Sequence, residues 1–224
     1  LNYNKNIKRF KIMYKHNSKI NDDIRTENEI YNQNFLKKIG LGNIKNIKGT
    51  IKREDWDLKG FNIFETVWLK NIDRIMSFIE NKEISTRDYT FIDIGSGNGI
   101  ACFYFALKFQ FKKFIGLEIC KDLHKQSLYF LEIFSKKMKF EKNKINLICT
   151  NILDYKLQDK KYLLFLFNSV NFEILELFIQ KNIDYLKKNK CIFLLVNDHC
   201  VNEILAYSKM IERNDFYNIS VVQF

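Results

Sequence analysis

Residues Thr90 to Glu118 read TFIDIGSGNGIACFYFALKFQFKKFIGLE. The stretch opens with a short apolar strand, Phe91 to Ile94, which runs into Gly95-Ser96-Gly97-Asn98-Gly99. An apolar helical run follows from Ile100 to Phe109, then a second strand, Phe114 to Leu117, that ends on Glu118. Strand, glycine turn, helix, strand and acid is the layout of a nucleotide-binding βαβ unit. Glycines let the backbone turn tightly and approach a ligand with no Cβ in the way. Glu118 stands 19 residues after Gly99. That puts a carboxylate at the tip of the second strand, where it can accept from two ribose hydroxyls.

The glycine spacing separates two cofactor classes. A dinucleotide fingerprint reads G-x-G-x-x-G/A, with a small sixth residue that lets helix and strand pack closely. Here the sixth position is the branched Ile100, and no second glycine fingerprint occurs. This weighs against a nicotinamide-dependent oxidoreductase. The glycines instead read G-x-G-x-G, with Asp93 two residues before them. That pattern resembles the first motif of class I methyltransferases, which use S-adenosylmethionine. The resemblance implies that Asp93, Gly95, Ser96, Gly97 and Gly99 form the turn facing the methionine part of the cofactor. It implies that Glu118, with Ile119 beside it, holds the ribose. The alternative is a glycine turn that only lets a helix pack.

Outward from this unit, strands and helices alternate. A helix is expected over residues 121–139, carrying Leu123, Leu128, Leu131, Ile133, Phe134 and Met138. A third strand is expected at Ile145 to Thr150 and a fourth at Tyr162 to Phe167, followed by a helix from Glu173 to Lys188. The fifth is Cys191 to Val196, followed by a helix from Val201 to Arg213 and a strand-like Ile219 to Phe224. Such alternation argues a doubly wound, Rossmann-like α/β fold with a mostly parallel sheet. Ligands in such sheets bind at the carboxyl ends of the strands. Asp93, Gly95, Gly97, Glu118, Asn151, Asn168 and Asn197 all fall there.

The stretch from Gly60 to the C-terminus resembles a group of bacterial class I methyltransferases. The shared marks are FIDIGSGNG, FIGLEI, LFLFN before a helix, and LLVN-x-H. Members tend to carry Asn-Pro-Phe after strand four and Asn-Pro after strand five. This chain keeps Asn168 and Asn197 but has Ser169 and Asp198 in place of the prolines. The resemblance implies that Asn151 meets the adenine amine, as its amide oxygen can. It implies that Asn168 accepts from the methyl acceptor, with Ser169 and Val170 as a wall. The missing prolines weaken DNA-base methylation as a specific claim. The glycine segment is also similar to that of non-SET protein-lysine methyltransferases, which slightly favours a protein side chain as acceptor. Upstream, Phe64-Glu65-Thr66 is similar to the aromatic-Glu-x-Thr segment that folds over the methionine end in some members. Capping of the helix that follows, over Val67 to Glu80, explains those residues equally well. His199 is a weaker candidate for a general base.

Charge is unevenly spread. Residues 1–53 hold 13 Lys and Arg against 4 Asp and Glu, so +9 of the net +11 lies in this segment. It is expected to form a basic extension, with the methyltransferase domain over 54–224. Within it, Asn17 to Asp23 reads as a turn. Ile24 to Ile39 reads as a helix with Ile30, Phe35, Leu36 and Ile39 on one side, stopped by Gly40 and Gly42. Asn43 to Thr50 reads as loop. The excess charge suits an arm for nucleic acid, and with it a cofactor-binding module without turnover. It equally suits an A/T-rich coding composition: only 6 of the 37 basic residues are Arg, and Pro is absent. The compositional reading carries more weight, since charge runs are ordinarily solvated surface.

No apolar run nears the ~18 residues that a membrane helix needs, and no signal-peptide core is visible. The chain opens on Leu1 rather than Met, which leaves its N-terminus open. Five cysteines without C-x-x-C spacing argue against a zinc site. Free thiols suit a cytoplasmic protein. Cys102, Cys149 and Cys191 are expected to be buried.

Overall fold

The computed structural model describes residues 18–43 and 65–224. A seven-stranded sheet forms the centre, in the order β3-β2-β1-β4-β5-β7-β6. The strands are β1 (Thr90–Ile94), β2 (Lys113–Glu118), β3 (Ile145–Cys149), β4 (Tyr162–Phe167), β5 (Ile192–Val196), β6 (Lys209–Asn214) and β7 (Ile219–Gln223). The first five run parallel, and β7 enters antiparallel between β5 and β6. This is the doubly wound, mostly parallel Rossmann-like sheet expected from the sequence.

The parallel strands read as near-continuous apolar runs because both faces are covered. Successive residues split between two cores. Phe91 and Phe165 pack on one face, with helices α1 (Ser18–Lys38), α2 (Leu69–Asn81), α3 (Ile100–Lys108) and α4 (Lys121–Met138). Ile92, Ile94 and Leu164 pack on the other, with α5 (Phe172–Lys188) and the short α6 (Val201–Ile204). Aromatic residues fill the first core: Phe91 lies 4.1 Å from Phe105 and 5.5 Å from Phe111, centroid to centroid.

From β1 the chain winds outward one way through β2 and β3, and from β4 the other way through β5. The winding therefore reverses between β1 and β4. A crevice opens at the carboxyl ends of strands at such a reversal point.

Several expectations are corrected. Residues 18–23 are helical, not a turn, and α1 starts at Ser18. Its buried side holds Phe35, Leu36 and Ile39 as expected, but Ile30 faces solvent and Asn28 is buried. Helix α1 thus shares the core, through Phe35 and Leu36, with Ile39 and Leu41 following them into the same cluster. In α4, Leu128 is exposed and Phe130 fills the core beside Leu131 and Phe134. The single helix expected over Val201 to Arg213 is instead α6 followed by β6. Pairing of β6 with β7 over Lys209 to Asn214 overrides the helical pattern there. Cys102 and Cys191 are buried, but Cys149 is exposed because β3 is an edge strand. The loop expected at Asn43 to Thr50 lies, beyond Asn43, outside the described residues.

Candidate functional site

At the end of β1 the backbone must leave the sheet at once. Gly95, Gly97 and Gly99 do this with φ of +72°, +53° and +83°, values that side chains rarely tolerate. The amides of Gly95 and Ser96 both donate to the Leu117 carbonyl at 2.9 Å, which fastens the turn to the tip of β2. Glu118 completes the link: its carboxylate accepts from the Gly97 amide at 2.7 Å and the Cys120 amide at 2.7 Å. On the other side, Ser169 Oγ donates to the Ile94 carbonyl at 2.7 Å. A Cβ on Gly95 would come within 2.2 Å of Ser169 Cβ, so glycine alone allows the β1 and β4 tips to meet this closely.

The three glycines divide their work. Gly95 lines the cleft that opens here. Gly97 supplies an amide to Glu118, and Gly99 lets α3 approach α4. A Cβ at Gly99 would lie 3.0 Å from Phe103 and 3.3 Å from Ser127. Neither Gly97 nor Gly99 lines the cleft itself.

The cleft is open to solvent on one side and lies at the strand tips, where ligands of such sheets bind. Its walls include Asp93, Gly95, Ser96, Glu118 and Ile119 from the βαβ unit, and Asn168 from the end of β4. Glu65 and Thr66 form part of the rim, just before α2. Most of the residues singled out from sequence therefore meet at one place. Asn151 does not: its amide oxygen accepts from the Leu153 amide at 2.9 Å, and its neighbours Thr150 and Ile152 line the cleft instead. His199 is exposed and is not part of the lining.

Two carboxyls here carry raised pKa values. Asp93 is buried and is pushed up to about 7, mainly by loss of hydration. A bond from Cys102 Sγ at 3.5 Å opposes the rise, and the Glu118 charge adds to it. Glu118 is raised by burial too, against the pull of the Cys120, Gly97 and Ile119 amides. Asn168 has a φ of +48°, in the left-handed region that asparagine tolerates better than most residues.

Sequence reasoning gave Ser169 too little. It reads as a wall residue, yet its hydroxyl ties the two strand tips together. The clue was its place in the loop of strand four, directly opposite the glycine turn. The apolar residues Leu123 and Ile152, beside Ile119, were likewise not identified as lining. Among the described residues no group of three or more His, Cys, Asp or Glu could hold a metal, and no helix is long and apolar enough to cross a membrane.

The residues fit S-adenosylmethionine. Ser96 Oγ is buried in the cleft with no hydrogen-bond partner among the described residues, a polar atom that a ligand could satisfy. A carboxylate offers about four lone-pair sites, so Glu118 has acceptor capacity beyond the amides of Gly97, Ile119 and Cys120, as a ribose would need. The apolar trio Ile119, Leu123 and Ile152 offers a surface for a flat ring.

The family model described as histone methylation protein DOT1 matches residues 70–175. No curated protein matches the chain. Solved structures similar to it include the ribosomal protein L11 methylase of Lactobacillus delbrueckii subsp. bulgaricus, at 16% identity and a TM-score of 0.47, covering 69% of this chain and 77% of that one. A human methyltransferase 10 domain containing protein shows 15% identity and a TM-score of 0.49, with 76% and 90% covered. A putative RNA methyltransferase of Pyrococcus horikoshii shows 12% identity and a TM-score of 0.48, with 75% and 92% covered.

Proposed function

We propose that this S-adenosylmethionine-dependent methyltransferase delivers its methyl group to an amine on a protein side chain. The observation that carries the reading is the family match over residues 70–175, whose printed description is a histone methylation protein. The matched span holds the whole glycine turn, Glu118 and Asn168.

The cofactor supplies an electrophilic methyl carbon, so the protein has little activation left to provide. Its task is to hold a nucleophile in line and to keep it there. Asn168 stands at the tip of β4, next to the glycine turn, on the rim of the cleft. Its side chain offers both an acceptor and a donor to an incoming amine. Ser169 holds that tip in register with β1. S-adenosylmethionine bound here would supply the methyl carbon, the acceptor amine would supply the lone pair beside Asn168, and the methylated amine would shed its proton to solvent. No buried base is required if the amine arrives neutral.

The test is transfer of tritium-labelled methyl from the cofactor into cell extract, followed by separate protease, nuclease and dialysis treatment. Label that protease releases supports the reading. Label that nuclease or dialysis removes identifies a nucleic-acid or small-molecule acceptor instead.

A further inference from the structure

Part of the cleft wall is a short segment, Glu65 to Val67, that leads into α2. It needs an anchor. Trp68, at the N-cap of α2, provides no side-chain cap. The first amides of a helix have no partner within it and must find one elsewhere. Here the partner comes from another helix. Asn32 of α1 accepts from the Leu69 amide at 3.0 Å through Oδ1, and donates through Nδ2 to the Val67 carbonyl at 2.9 Å. One amide side chain thus grips the backbone on both sides of Trp68.

Helix α1 is itself fixed to the glycine-turn side of the cleft. Tyr31 donates to Asp73 of α2 at 2.7 Å and lies 2.9 Å from the Tyr104 hydroxyl of α3. Tyr104 and Lys108, both on α3, bind the same Asp73 carboxylate at 2.7 Å and 2.9 Å. The Phe35 ring packs edge-on against Tyr104 at 4.9 Å. Since α3 begins directly after Gly99, α1 bridges the two sides of the cleft.

We propose that Asn32 is a positioning residue for the cofactor site, holding the Glu65-to-Val67 wall at its working distance from the glycine turn. This rests on the cofactor reading above. It gives Asn32 a part in the binding machinery, although the sequence of α1 carries no motif. Its reach over the chain, to Val67 and Leu69, is what a cap supplied from outside its own helix requires.

The test compares Asn32→Ala with one control on the same helix. Glu27→Ala removes the surface ion pair with Lys70 between the same two helices. Two readouts are taken: amide hydrogen exchange over residues 66–70 without cofactor, and affinity for S-adenosylhomocysteine by calorimetry. Asn32→Ala should speed exchange of the Leu69 amide by about tenfold, the loss of one cap. It should weaken cofactor affinity by about fivefold to tenfold. Glu27→Ala should leave affinity within about twofold, as exposed contacts do. Unchanged exchange at Leu69 overturns the assignment of Asn32 whether or not the cofactor binds. Faster exchange with unchanged affinity restricts Asn32 to capping and overturns its link to the site. Equal loss of affinity in Glu27→Ala overturns the special role of Asn32 in favour of general docking of α1. Absence of binding by the parent protein contradicts the cofactor reading, and with it this one.

Discussion

Asp93 is a buried acid whose carboxyl is pushed up to about 7 from its ordinary 3.8. Between those two values the folded protein holds a proton that the unfolded chain has lost. Stability from this group is therefore complete at low pH, falls as pH rises from about 4 to about 7, and stays level above. The displacement corresponds to roughly 4 kcal/mol at most. Burial raises Glu118 in the same direction. Thermal melts from pH 4.5 to 8 should show declining stability in the parent and a flatter profile in Asp93→Asn. A parent profile that rises with pH, or a variant with the parental slope, would show that Asp93 is not desolvated as described. Gly95 gives a second prediction at this scale. Gly95→Ala places a Cβ against Ser169 and adds strain at φ +72°, and should cost about 2–5 kcal/mol. Ser169→Gly should recover the steric part in the double variant, as a double-mutant cycle in urea would measure. Additive losses would mean that the two residues do not meet. The glycine at 95 was legible as a turn residue. Its reason was not, because Ser169 lies far along the chain and only the β1–β4 pairing brings it near.

At the scale of elements, the tip of β4 carries the acceptor side of the account. Asn168→Ala should leave cofactor affinity nearly unchanged, because Glu118 and the glycine turn lie on other strands. Turnover with the identified acceptor should fall mainly in kcat, since a contact made fully only in the transition state is lost there. Wild-type turnover in this variant would move the acceptor side away from β4. Helix α1 offers the other test. Phe35→Ala combined with Ile39→Ala should lower both melting temperature and cofactor affinity, because it empties the part of the core that α1 fills. Parental values in that variant would show that α1 is dispensable. The strands β1 to β5 were readable within a residue or two because strands buried on both faces are apolar throughout. β6 was not. Residues 209–214 hold alternating side chains of mixed polarity at a sheet edge, which fit helix and strand alike. The better signal was the turn Asn214-Asp215-Phe216-Tyr217-Asn218 before an apolar run, with Asn218 at φ +49°.

Across the whole molecule, one topological fact places the chemistry. The winding reverses between β1 and β4, and that reversal brings an acid, a glycine turn and an asparagine to one cleft. The βαβ stretch announced this much from sequence, since its motif and spacing are local. The wall before α2 was only half legible: Glu65 and Thr66 do line the cleft, but what holds them comes from α1, across a stretch no local pattern links. Cofactor binding is the claim on which the rest depends. Calorimetric titration with S-adenosylhomocysteine, alongside a nicotinamide dinucleotide, tests it most directly. The account predicts a saturable heat with the first and none with the second. It predicts at least about tenfold weaker binding in Glu118→Ala, which loses charge-assisted bonds. Binding of the dinucleotide alone, or undiminished affinity in Glu118→Ala, would contradict it.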